Sequence, residues 1–148
     1  MTKNAFSGVQ KFACVSAVLT AVALILSIIS SNTAYSLLHL INVILACAVA
    51  IVLDLIIMLA GKKLPGAVED IFLFVSVLAA AFAMCTLIQG RVLLAGYIYF
   101  SDLESSNPVA IAAMNLAIAA VVAYLAALVV TIINGFMRHE KDRDNKSL

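Results

Sequence analysis

Residues 37–60 read LLHLINVILACAVAIVLDLIIMLA, with Asp54 as the one Asp, Glu, Lys or Arg in the run. A helix crosses a bilayer core of roughly 30 Å with about 20 mostly apolar residues, because it rises about 1.5 Å per residue. The run has that length, and it stops at Gly61-Lys62-Lys63. A strand does not suit it: the run is too long, rich in Ala and Leu, and shows no polar–apolar alternation of the kind a transmembrane barrel needs. Inside lipid the helix satisfies its own backbone, so residues 37–60 predict a membrane-spanning helix.

Three more runs of this kind lie on either side. One covers residues 12–31, bounded by Lys11 and by Ser31-Asn32-Thr33. Another starts at Ile71, after Glu69-Asp70, and is apolar to Ile88 before Gln89-Gly90-Arg91. It resumes as far as Phe100, so the spacing predicts one long helix over residues 71–100. The part after Gly90 either protrudes from the membrane or lies in its interface, with Tyr97, Tyr99 and Phe100 as an aromatic belt. The last run covers residues 108–137 and leads into a charged tail, 138–148, expected to be a short solvated extension. Asn107-Pro108 is a helix start: Asn caps free N–H groups, and Pro in the first turn sacrifices no hydrogen bond. Leu64-Pro65-Gly66 is a turn, and Glu69 and Asp70 suit the positive end of the helix that follows.

Composition agrees. Of the 148 residues, 65% are hydrophobic and 11% charged, and mean hydropathy is +1.15. A soluble domain carries roughly 45–50% apolar and about 25% charged residues. A chain this small has too much surface to hide the excess in water. The balance excludes a soluble enzyme domain, a disordered chain and a nucleic-acid binder. The expected fold is all-α: a single polytopic four-helix transmembrane bundle.

Orientation follows from the basic residues. Lys3, Lys11, Lys62, Lys63, Arg138, Lys141, Arg143 and Lys146 fall on one side of four spans, and Arg91 stands alone on the other with Asp102 and Glu104. Short loops rich in Lys and Arg stay in the cytoplasm. Both termini are therefore expected inside, in a bacterial cytoplasmic membrane. The first run is longer than a signal peptide's apolar core and lacks a small-x-small cleavage site, so it reads as a span. Asn145-Lys146-Ser147 matches a glycosylation sequon on the wrong side for use.

Asp54 is the sharpest feature. It lies about 10 Å inside the second helix, counted from Gly61. Ser16 and Ser76 fall at a similar depth on the first and third helices and are its expected hydrogen-bond partners. A carboxyl there faces the bundle interior or water. It serves either as a proton- or cation-coupling group or as a structural carboxyl bonded across helices or snorkelling outward. A second polar set, His39, Asn42, Gln89, Arg91 and Asn115, lies toward the outer side. Its members are expected to bond across the bundle, or to line a shallow outward site for an anionic or polar head group, with Arg91 otherwise paired to Asp102 or Glu104.

Catalytic and metal signatures are missing. There is no nucleotide-binding loop, no HExxH and no GxSxG, and nothing in the sequence assists His39 as a metal ligand. No cofactor and no metal are expected. Cys14, Cys47 and Cys85 form no CxxC and are expected to pack as small hydrophobes between helices. Small residues are dense in two helices: Ala13, Ser16, Ala17, Thr20 and Ala21 in the first, and Ala112, Ala113, Ala119, Ala120, Ala123, Ala126 and Ala127 in the fourth. They permit close helix approach within the bundle, or against a membrane partner or a second copy. An offset of 60 aligns Phe12, Val15, Ser16, Ala21, Ala23 and Ile28 with Phe72, Val75, Ser76, Ala81, Ala83 and Ile88. An offset of 73 aligns Asn42, Ala46 and Ala50 with Asn115, Ala119 and Ala123. Two similar hairpins would give that pattern. The leading functional expectation is a non-enzymatic structural or accessory subunit of a membrane assembly. The alternative is an oligomeric transporter of a small solute or ion, coupled through Asp54.

Overall fold

A computed structural model describes residues 8–33, 35–37, 39–60, 63–101 and 103–146, and for 138–146 the backbone alone. Lys3, Gly61, Lys62, Asp102 and Ser147 lie outside the described residues, as do the side chains of Arg138, Lys141, Arg143 and Lys146. Four helices follow one another: α1 Gly8–Ser31, α2 Leu40–Ala60, α3 Gly66–Tyr99 and α4 Pro108–Lys146. All four are long and apolar enough to cross a membrane. Each packs on its neighbours in the chain, and α4 closes the ring on α1.

The helix ends differ from the sequence expectation for local reasons. Helix α3 starts at Gly66 rather than Ile71, which takes Glu69 into its first turn, where a carboxylate meets the helix dipole favourably. It then runs unbroken past Gly90 to Tyr99. Phe100 N–H closes the last turn on the Gly96 carbonyl at 3.0 Å. Helix α2 starts at Leu40 rather than Leu37. Leu37 folds over the end of the bundle: its N–H donates to Ser31 Oγ at 3.0 Å, and its side chain occupies the place where a Cβ on residue 90 would stand. Gly90 is what lets that loop settle on α3. Asn107 caps α4 as expected, its Oδ1 accepting from Val109 N–H at 3.0 Å. Helix α4 does not stop at Met137 but continues through the charged tail to Lys146.

The bundle is the inverse of a water-soluble one. The buried residues of α1 are Gln10, Ala13, Ser16, Ala17, Thr20, Ala23, Ser27, Ser30 and Ser31, each small or polar. Val15, Val18, Val22, Ile25 and Ile29 of the same helix face outward. In water that arrangement would be costly. In lipid, where apolar tails meet apolar side chains on any face, small residues go inside because they let helices approach closely. Helix α4 repeats the pattern with Ala110, Ala113, Ala117, Ala120 and Ala127 buried, while Ala112 and Ala119 remain on the outside.

Polar residues mark both rims. Exposed Lys11 and Asp70 stand at the end where α1 begins, and exposed Asn32, Asn42, Gln89 and Asn115 at the other. Along each helix the two rims are about 20 residues apart, or about 30 Å, the thickness of a hydrocarbon core. The α3–α4 hairpin goes further. Arg91 and Ala113 are bonded to Ser30, at the end of α1, yet α3 runs on to Tyr99 and α4 begins at Pro108. The projecting tip exposes Leu93 (72%), Phe100 (90%) and Leu103 (73%).

Candidate functional site

Among the described residues Asp54, Glu69 and Arg91 are the buried ionisable side chains; Asp54 and Arg91 lie in separate polar layers, with a tyrosine between them. The layer nearer the termini is built around Asp54, which is 0% exposed. Its place on α2 follows from the stripe Val43, Cys47, Ala50, Asp54 and Ile57, which faces the interior at three- and four-residue steps. Ser76 of α3 donates to Asp54 Oδ1 at 2.8 Å. Ser16 of α1 lies against the same carboxyl. The sequence thus named the three residues that converge here.

It missed the contribution of α4. Thr131 donates its hydroxyl hydrogen to the Ala127 carbonyl at 2.9 Å. Ser16 Oγ and Thr131 Oγ1 are 2.6 Å apart, so the two hydroxyls share a hydrogen bond. One turn further along α4, Asn134 is 0% exposed. Neither Asn134 Nδ2, Asn134 Oδ1 nor Asp54 Oδ2 has a hydrogen-bond partner among the described residues. The signal was present: Tyr124, Ala127, Thr131 and Asn134 are spaced three and four residues apart, one helix face.

Tyr124 fills the middle of the bundle. Its hydroxyl meets Cys47 Sγ at 3.0 Å and Ser27 Oγ at 3.5 Å. Ser27 gives its own hydrogen to the Ala23 carbonyl at 2.8 Å, so it accepts from the tyrosine, and Cys47 donates to it. Cys47 is buried between helices as expected, but Cys14 and Cys85 are exposed on the outside of the bundle. In a lipid-facing position a thiol is as acceptable as any small apolar group.

The far layer belongs to Arg91, 4% exposed. Its Nη1 donates to the Tyr35 carbonyl at 2.6 Å. Its Nη2 donates to the Ser30 carbonyl at 2.6 Å and to Ser30 Oγ at 2.8 Å. Ser30 in turn donates to the Ala113 carbonyl at 2.8 Å. The last carbonyls of α1 have no partner within the helix, and a cation is favoured at that end. Arg91 therefore caps α1 from across the bundle. The expected pairing with Glu104 is not formed. Glu104 accepts from Asn107 Nδ2 at 2.6 Å and bonds the Tyr35 hydroxyl, which holds the Tyr35 pKa above the usual tyrosine value. Asp102, the other expected partner, lies outside the described residues.

The proposed convergence of His39, Asn42, Gln89, Arg91 and Asn115 is also corrected. Arg91 alone turns inward, and the other four are exposed around the rim. Their depth was read correctly from counting residues, but their direction was not. Among the described residues no three His, Cys, Asp or Glu side chains stand together to hold a metal. No family model, no curated protein and no solved structure matches the chain.

Proposed function

We propose that the protein is a non-enzymatic structural or accessory subunit of a membrane assembly, held in a bacterial cytoplasmic membrane with both termini inside. The observation that carries this reading is the α3–α4 tip. It rises past the end of α1 and shows Leu93, Tyr99, Phe100 and Leu103 on its surface. Exposed apolar side chains clustered beyond the bilayer core mark an interaction site. The interior supports the same reading. Several of its polar groups tie helices together, as the Ser16–Thr131, Ser30–Ala113 and Arg91–Ser30 contacts do.

The test is extraction in a mild detergent, followed by sizing and mass spectrometry. A stoichiometric partner is expected with the wild type, and its loss with Leu93→Ser/Phe100→Ser while the variant still runs as a folded bundle. Recovery of the wild type as a lone monomer contradicts the reading.

One observation favours a second reading, a small-solute or ion transporter coupled through Asp54: the carboxyl is buried in the spanning region with Oδ2 unpartnered. On that reading Asp54→Asn abolishes flux into proteoliposomes at unchanged expression. Flux that survives the substitution removes it.

A further inference from the structure

Helices α3 and α4 leave between them a cleft of about 240 Å³ on the outside of the bundle, and its exposed lining is apolar throughout. Ile88, Val92 and Ala95 belong to one wall, and Met114, Ile118 and Val121 to the other. The cleft stays open because two of its lining residues, Ala95 and Ala117, carry only a methyl group. An apolar cavity of about 150 Å³ takes a benzene molecule, so this one has room for a longer piece of hydrocarbon.

Depth in the membrane identifies the hydrocarbon. Arg91 and Ala113 mark the far rim, where both are bonded to Ser30 at the end of α1. From that level the cleft reaches Ala95, about 6 Å outward along α3, and Val121, about 12 Å inward along α4. Half of a bilayer core is about 15 Å. The cleft therefore starts at head-group level and ends near the bilayer middle, the span of one phospholipid in one leaflet. Arg91 supplies a charge at the head-group end. It is 4% exposed and forms part of the wall, and its Nε has no hydrogen-bond partner among the described residues. The groups that its Nη1 and Nη2 meet, the Tyr35 and Ser30 carbonyls and the Ser30 hydroxyl, are all neutral. None of these partners cancels its positive charge. Since the exposed lining is apolar, the guanidinium lies behind it, where its field is weakly screened.

We propose that the α3–α4 cleft binds one anionic phospholipid of the leaflet at the far rim, with an acyl chain between the helices and the head group held at the mouth by the field of Arg91. Basic pockets between membrane helices take anionic lipid head groups in this way. A zwitterionic phospholipid offers the same tail without the net charge, so Arg91 sets the preference between the two. The site depends on neither functional reading, because occupancy is measurable without a partner and without flux.

The experiment is native mass spectrometry of the purified, delipidated full chain in mild detergent, titrated with palmitoyl-oleoyl phosphatidylglycerol or with the phosphatidylcholine of the same chains. A single phosphatidylglycerol adduct is expected, about fivefold tighter than the phosphatidylcholine adduct, the effect of one basic residue on an anionic lipid. Val121→Phe puts a ring into the cleft and is expected to abolish the preference. Ala95→Phe fills the cleft from the other wall and is expected to do the same. Val129→Phe makes the matching change on an exposed part of α4 outside the cleft and keeps the preference. Arg91→Leu brings the two lipids level, and Arg91→Lys, which retains the charge, preserves most of the difference. In intact membranes a photoreactive amino acid at position 118 is expected to label phospholipid. Equal affinity of the wild type for the two lipids overturns the proposal. So does a preference that survives both Val121→Phe and Ala95→Phe undiminished. Protein adducts in place of lipid from position 118 overturn it as well, and assign the cleft to a partner's helix.

Discussion

Asp54 and Arg91, buried in separate layers of the bundle, meet the same difficulty and are handled differently. Arg91 sits where α1 ends, so backbone carbonyls already lacking a partner are available to receive its guanidinium. Asp54 sits mid-helix, where every backbone N–H is engaged in the helix, and only side-chain hydroxyls reach it. Arg91 makes three hydrogen bonds to two segments and leaves only Nε unpartnered, whereas Asp54 has the hydroxyls of Ser76 and Ser16 against it and leaves Oδ2 unpartnered. The contrast teaches that position along a helix, and not charge alone, decides whether a buried ion acts as a clasp. It makes Arg91 the stronger structural element and Asp54 the more available one.

The largest expected effect is therefore at Arg91. Arg91→Leu leaves the Tyr35 carbonyl unmet and the Ser30 carbonyl with the Thr33 hydroxyl alone, and is expected to lower unfolding stability by about 3 kcal/mol, since hydrogen bonds to charged groups contribute about 1.5–3 kcal/mol each and water at the rim replaces part of the loss. Arg91→Lys recovers less than half, because an ammonium cannot fork to two carbonyl groups in the same way. Denaturant or thermal unfolding in detergent reads both. If Arg91→Leu is neutral, Arg91 is no clasp.

A smaller effect is expected between the layers. Tyr124→Phe keeps the ring that fills the core and removes the contacts to Cys47 and Ser27, so a loss of about 1 kcal/mol is expected by the same measurement. At Asp54 the comparison predicts little. Asp54→Asn should match the wild type within about 1 kcal/mol. Ser76→Ala should fall near the roughly 0.6 kcal/mol that interhelical hydrogen bonds average in membranes. A drop at Asp54→Asn as large as that at Arg91→Leu would erase the distinction between the two layers.

The smallest effect lies at the rim. The Glu104 bond to the Tyr35 hydroxyl favours the protonated phenol in the folded state. Its contribution is full below the ordinary tyrosine pKa of about 10 and fades as the pH climbs through the raised value. Phenolate absorbance, compared between the wild type and Tyr35→Phe, should place the missing titration above that of ordinary tyrosine. Glu104→Gln should bring it down. A Tyr35 that titrates as an exposed tyrosine contradicts the bond.

The helices were readable because their length and apolarity answer one question, whether a segment crosses a bilayer. Depth was readable too, since a fixed rise per residue put Ser16, Asp54 and Ser76 at one level and His39, Asn42, Gln89 and Asn115 at another. Direction was harder. A lipid-facing surface is as apolar as a packed one, so the amphipathic stripe that orients a helix in water is nearly absent here. What remains is the stripe of small residues, and it does orient α3: Ser76, Ala80, Ala83 and Leu87 lead at three- and four-residue steps to Arg91, and away from Gln89. In α4 the same stripe carries Thr131 and Asn134, each lost among Ile and Val in a reading by composition. The offset of 60 sets Ser16 on Ser76 and Ala23 on Ala83, buried against buried. A shared seven-residue period produces that match with or without duplication.

The tip is where the account's central claim is most directly exposed. A photoreactive amino acid placed at Phe100, on the projecting hairpin, and another at Phe74, on the outside of α3 near the termini end, can be activated in intact membranes and their adducts identified by mass spectrometry. A subunit docked through its tip gives one dominant protein adduct from position 100 and lipid adducts from position 74. Lipid adducts alone from both positions would contradict it.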